Sequence, residues 1–117
     1  MGRILVLDNM ADAAQLVKRV LETAGHEVVA FTEEDKAIRY IESQAVDLAI
    51  LDPGSGRGNG LAAVVTLRNL LPEMPIMILT GAPTVETARK VNELGISDYR
   101  TKLMDNEELL DTVTSLL

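Results

Sequence analysis

Cysteine is absent from the chain. That excludes a disulfide framework and a thiolate metal site, and it fits a cytoplasmic protein. No apolar run approaches the roughly 20 residues that a membrane span needs. The early Arg3 and the short apolar run after it lack a signal-peptide cleavage pattern. Positive charge is sparse: 11 basic residues are scattered among 18 acidic ones, for a net charge of −7. A surface that grips phosphates needs a basic patch, so direct nucleic-acid binding is not expected. Linkers, low-complexity segments and internal repeats are also missing. The single histidine, His26, follows Gly25 at an expected helix-to-strand turn, where neither catalysis nor phosphotransfer is expected of it.

What is there is one domain's worth of chain. With 117 residues, 47% apolar and 25% charged, residues 1–117 can bury a real core, and no effector domain is expected among them. Short apolar runs alternate with helical periodicity. Strands are expected at 3–8 (RILVLD), 27–31 (EVVAF), 47–52 (DLAILD), 75–80 (PIMILT) and 97–100 (SDYR). Residues 13–25 predict a helix with Leu16, Val17, Val20, Leu21 and Ala24 on one face and Gly25 just past its end. Thr32 and Asp35 resemble a capping box opening a helix that buries Ala37, Ile38 and Ile41. Leu61 to Leu71 reads as a helix stopped by Pro72. Residues 84–94 predict a weak helix whose apolar positions are Val85, Ala88, Val91 and Leu94, ended by Gly95. Asp105 and Glu108 cap a last helix with a stripe of Leu109, Leu110, Val113, Leu116 and Leu117.

Strands apolar on both faces and joined by helices imply a parallel sheet covered on both sides. Right-handed crossovers make it a doubly wound α/β fold. Ligands of such sheets bind outside the carboxyl ends of the strands. Those ends carry Asp8 and Asn9, Asp52, Thr80 and Lys102. Each has an ordinary reading: Asp8 or Asn9 as a helix cap, Thr80 as a helix-approach residue, Lys102 as a surface lysine. Together they offer two carboxylates, an amide, a hydroxyl and an ammonium at one edge. That set suits phosphoryl transfer to a carboxylate, with Asp52 as nucleophile. Asp8, Asn9, Asp52 and a loop carbonyl would suit Mg²⁺. Lys102 would neutralise one phosphoryl oxygen, and Thr80 would hydrogen-bond another.

The loop after Asp52, PGSGRGNG, holds four of the chain's eight glycines. It brings backbone close to the Asp52 edge, or it is simply a flexible turn. It is not a Walker loop, because no Gly-Lys-Ser/Thr follows, and a dinucleotide fingerprint would need glycine at Asn59. An EF-hand fails because glycines stand where its next oxygen ligands belong.

The segments ILVLDN, DLAILD followed by Gly60–Leu61, IMILTG and GISDYRTK resemble the receiver domain of two-component response regulators over about residues 2–117. The resemblance implies a five-stranded sheet in the flavodoxin-like order 2-1-3-4-5 with helices on both faces. It implies Asp52 as phospho-acceptor, Lys102 and Thr80 as its catalytic partners, and Thr80 and Tyr99 as the switch pair. The implied metal ligands are Asp8, Asn9, Asp52 and the backbone carbonyl of Gly54. Mg²⁺ would be the cofactor, held weakly because Asn9 stands where the family usually has an acid.

Other departures are Pro53 directly after Asp52, Gly56 for the usual loop proline, Gly81 after the threonine and Leu103 for the usual proline after the lysine. A Lys102–Leu103 bond is expected to be trans, because a non-proline cis bond costs roughly 3 kcal/mol. The implied function is a phosphorelay switch that reshapes the surface at 84–117. It would be served by a histidine kinase or phosphotransfer protein, with a homodimer through the 84–117 face, no membrane contact, and no enzyme activity on a separate substrate. The alternative is a pseudo-receiver, an interaction module that does not cycle phosphate.

Overall fold

A computed structural model describes residues 2–52, 60–81, 84–102 and 104–117. Pro53, Gly54, Gly56 and Leu103 lie outside them, and so do the expectations that rest on those four positions. Five strands alternate with five helices: β1 (Arg3–Leu7), α1 (Ala11–Thr23), β2 (Glu27–Phe31), α2 (Glu34–Ser43), β3 (Leu48–Leu51), α3 (Gly60–Leu70), β4 (Ile76–Thr80), α4 (Val85–Glu93), β5 (Asp98–Thr101) and α5 (Asn106–Leu116). The sheet runs β2-β1-β3-β4-β5, and each adjacent pair is parallel. The doubly wound α/β class is the one expected from the alternating strands and helices, and the strand order is the one the resemblance implies.

Strand side chains alternate between two cores, as pleating requires. Ile4, Val6, Leu48, Ile50, Met77 and Leu79 meet α1 and α5 through Ala14, Leu21, Leu109 and Val113. Leu5, Leu7, Ala49, Leu51, Ile76 and Ile78 meet α2, α3 and α4 through Ala37, Ile41, Val64, Leu67 and Val91. Fully burying such a side chain contributes roughly 1.5–3 kcal/mol, so the two layers dominate stability.

Helix ends follow backbone chemistry. Gly25 takes φ 91°, a left-handed conformation that costs glycine little. It donates its N–H to Glu22 O (3.0 Å), and His26 donates to Leu21 O (3.3 Å), which closes α1 with a Schellman motif. Asp105 caps α5 as expected, its Oδ1 accepting from Glu108 N–H at 2.8 Å.

Several expectations do not hold. The Thr32–Asp35 capping box is not formed: α2 begins at Glu34, and its N-cap, Glu33, makes no side-chain cap bond. Thr32 is one residue too early, while Asp35 with Glu34 still complements the helix dipole in the first turn. Neither Asp8 nor Asn9 is the N-cap of α1; that position is Met10. Leu16 is 59% exposed, since it lies about 140° around the helix from buried Leu21. Ala24 is exposed too. Val85 is 77% exposed, since it lies about 120° around the helix from buried Val91.

Leu67 on α3 is fully buried. Leu67→Ala is expected to cost roughly 2–5 kcal/mol, read as a lower urea midpoint with an unchanged slope. A loss below about 1 kcal/mol, the range of volume-conserving swaps, would contradict the packing of α3 against the sheet.

Candidate functional site

The ladders carry one residue past three strand ends. Asp8 donates its N–H to Phe31 O (3.0 Å), Asp52 to Leu7 O (2.9 Å) and Lys102 to Thr80 O (2.8 Å). The pleat then sorts the side chains. Asp8 continues the series Ile4 and Val6, and Asp52 continues Leu48 and Ile50, all facing α1 and α5. Tyr99 packs on the opposite layer, so Lys102, three residues on, returns to the α1/α5 side. There its stem lines a small apolar cavity of about 100 Å³ with Val17, Val20, Leu79 and Leu109.

Lys102 reaches across the end of β4. A methyl group placed on Gly81 would make only an ordinary 3.7 Å contact with Lys102 Cδ, so the lysine stem passes beside Gly81 without requiring glycine there. Lys102 Nζ ends 2.6 Å from Asp8 Oδ2 and 2.6 Å from Asp52 Oδ2. The side chains of Asp8 and Asp52 are only 5% and 9% exposed, so this is a largely desolvated triad with a formal charge of −1. Burial alone would lower the Lys102 pKa. Its hydrogen bonds to Asp52 and then Asp8 outweigh that and hold it above the ordinary value of 10.5.

The other Asp8 oxygen, Oδ1, accepts the Met10 N–H at 2.9 Å, which fixes the carboxylate at the entrance to α1. Asn9 beside it is exposed. Thr80 is buried at 5% exposure and, by alternation with Ile76 and Ile78, lies on the α2–α4 side of the sheet. Tyr99 is not at a strand end: it pairs with Ile78 inside β5, while Thr80 pairs with Thr101. The Tyr99 ring is half-buried against the α2–α4 core, and its Oη accepts a long 3.4 Å bond from Thr84 N–H.

A carboxylate pair bridged by one lysine, at the carboxyl edge of a 2-1-3-4-5 parallel sheet, now meets its counterpart among known proteins. Residues 4–114 match the family described as the response regulator receiver domain. The chain belongs to that family.

Relatives include the CAI-1 autoinducer sensor kinase/phosphatase CqsS of Vibrio cholerae, 31% identical over 97% of this chain and 17% of its own length. Another is the transcriptional regulatory protein ZraR of Escherichia coli, 27% identical over 97% of this chain and 26% of its own. The chain thus spans about a quarter or less of these curated relatives. Among solved structures, the CheY-like receiver domain protein of Methanospirillum hungatei superposes with a TM-score of 0.91 at 23% identity, covering 98% of this chain and 92% of that one. The beryllofluoride-activated DrrB receiver domain gives 0.86 at 25% identity, covering 99% and 97%. The family's general role is that of a phosphoryl-accepting switch in two-component signalling, and receiver domains interact with histidine kinases. No helix among the described residues is long and apolar enough to cross a membrane.

The donor types are those that the implied Mg²⁺ takes: Asp8 and Asp52 offer hard carboxylate oxygens and Asn9 an exposed amide. As arranged, Asp8 Oδ1 accepts from Met10 N–H and the Oδ2 atoms of both carboxylates contact Lys102, so holding the ion would require those contacts to be shared or exchanged. The implied fourth ligand, the Gly54 carbonyl, lies outside the described residues. Among the described residues no three His, Cys, Asp or Glu side chains converge. The Met10 N–H that orients Asp8 has no signature in the sequence, because it is a backbone group.

A pKa raised above its ordinary value makes the Lys102 interaction fully stabilising below that value; the contribution is lost as pH rises through the folded pKa. NMR titration of the Lys102 side chain should therefore give a pKa above 10.5, and Asp52→Asn should bring it down. An unchanged pKa in that variant would contradict the triad.

Proposed function

We propose that this receiver accepts a phosphoryl group on Asp52 and passes the event to the surface formed by residues 84–117. The observation that carries the reading is the Lys102 ammonium, 2.6 Å from both carboxylates at the sheet edge. An ammonium already in contact with the nucleophile is placed to follow it to the phosphoryl oxygens.

An Asp52 oxygen attacks phosphorus in a phosphohistidine of a histidine kinase or phosphotransfer protein, or in a small acyl phosphate. The bond from phosphorus to the donor nitrogen or oxygen breaks, and its electron pair leaves with the donor. Lys102 shifts one hydrogen bond from the Asp52 carboxylate to a phosphoryl oxygen, a charge-assisted contact, and keeps Asp8 as its second partner. Thr80 donates its hydroxyl to another phosphoryl oxygen. Asp8, Asn9, Asp52 and the Gly54 carbonyl would hold Mg²⁺, which would supply further neutralisation of phosphoryl charge. Positioning and charge account for the chemistry, so the receiver serves its own transfer and hydrolysis without a separate substrate. Drawing Thr80 toward the phosphoryl group pulls on the chain leading to Thr84, whose N–H is tied to Tyr99 Oη. The output is a changed 84–117 face, on which a second copy or an effector docks. The proposed setting is the cytoplasm, with neither membrane nor nucleic acid as direct partner.

One observation favours the alternative of a pseudo-receiver. Asn9, exposed beside Asp8, offers an uncharged amide where the family usually has an acid, which weakens the metal site that phosphorylation would use. Such a module would present its 84–117 face constantly.

Amide exchange with Mg²⁺ and beryllofluoride separates the two. The switch predicts changed exchange mainly in residues 81–105, with Mg²⁺ binding tighter in Asn9→Asp than in the unmodified chain, since ligand charge tunes affinity. Binding of the mimic without change in that segment would favour the pseudo-receiver. Equal or weaker Mg²⁺ binding by Asn9→Asp would remove Asn9 from the metal site.

A further inference from the structure

We infer that Arg68 pins the C-terminal end of α4, so that this helix opens from its N-terminal end. Arg68 lies in the last turn of α3 and meets backbone carbonyls throughout. Its Nη1 donates to Met74 O (2.7 Å) and Pro72 O (3.0 Å), with Leu71 O at 3.4 Å. Its Nε donates to Leu94 O (3.2 Å) and its Nη2 to Gly95 O (2.9 Å). Leu94 and Gly95 are the C-cap of α4 and the residue after it. A helix leaves its last carbonyls without intrahelical partners and carries partial negative charge there. One guanidinium therefore ties the end of α4 to the α3–β4 turn, and the planar fork makes this a fixed attachment.

The two ends of α4 are unequally held. Val91, its one buried hydrophobic residue among those described, and half-buried Leu94 lie in the C-terminal half beside the Arg68 contacts. The N-terminal end has exposed Val85 and the Thr84 cap, which accepts from Thr87 N–H at 3.0 Å. Beyond that cap stands the 3.4 Å bond to Tyr99 Oη, long enough to be weak. Local opening follows the region with few buried contacts. A displacement arriving through residues 81–84 would swing the free end of α4 about Arg68; this consequence rests on the proposed switch, whereas the unequal anchorage does not.

Native-state amide exchange on the unmodified chain, with neither Mg²⁺ nor a phosphoryl mimic, tests the anchorage separately from phosphorylation. Both ends compared carry helical or capping hydrogen bonds. Residues 93–95 are expected to exchange about tenfold or more slowly than residues 88–90, as for a sub-global opening that spares one end. Arg68→Met keeps the stem without donors and should erase that difference by speeding 93–95. Arg68→Lys keeps the charge but cannot span the same carbonyls, and should do so in part. Equal exchange at the two ends of the unmodified helix would overturn the inference. So would unaltered protection of 93–95 in Arg68→Lys, or a loss spread evenly over the whole sheet in both variants.

Discussion

The Lys102 ammonium sits between two carboxylates that would otherwise repel each other in a desolvated corner. Removing one partner of a buried ion pair typically costs about 3–5 kcal/mol, because a charge is then left uncompensated. The triad constrains the fold in return. Asp8, Asp52 and Lys102 come from β1, β3 and β5, which meet only if all the strands run parallel and the pleat brings each residue to the α1/α5 side. A one-residue slip in any of them would turn its charged side chain to the other face. The apolar alternation that builds the two cores thus also places the chemistry.

The same sheet edge divides the molecule into a rigid and a yielding part. Leu48–Leu51 and Ile76–Thr80 are buried along their whole length, so the carboxylate and the hydroxyl stand on strands that do not adjust easily. The α4–β5 region is held more lightly: β5 has no fully buried residue, and Tyr99 is only half-covered. A charge change at the rigid edge therefore has its cheapest response in α4 and β5. Arg68 decides which end of α4 gives.

Much of this was legible in the sequence, and the reasons are specific. EVVAF matches β2 to the residue because it lies between a glycine turn and a polar stretch. Gly25 and Gly95 marked helix ends because left-handed backbone is glycine's province, and both have positive φ. The strand-end residues stood out because a carboxylate or ammonium closing an apolar run is conspicuous. Misreadings came where local pattern yields to tertiary packing. Thr32 and Asp35 have the spacing of a cap, but α2 starts at Glu34 with Glu33 as its N-cap, one residue past Thr32. Leu16 has the period of the α1 core but lies off its buried arc. Arg68 gave no sign of its role, since all its partners are backbone carbonyls, and carbonyls leave no mark in a sequence. Its place near a helix C-terminus was the one available hint.

The central claim is that Asp52, released by Lys102, is the phosphoryl acceptor. Intact-mass measurement after incubation with acetyl phosphate and Mg²⁺ tests it most directly. The account predicts a gain of one phosphoryl group in the unmodified chain and none in folded Asp52→Ala. No gain in the unmodified chain, or a gain that persists in Asp52→Ala and so points to Asp8, would contradict it.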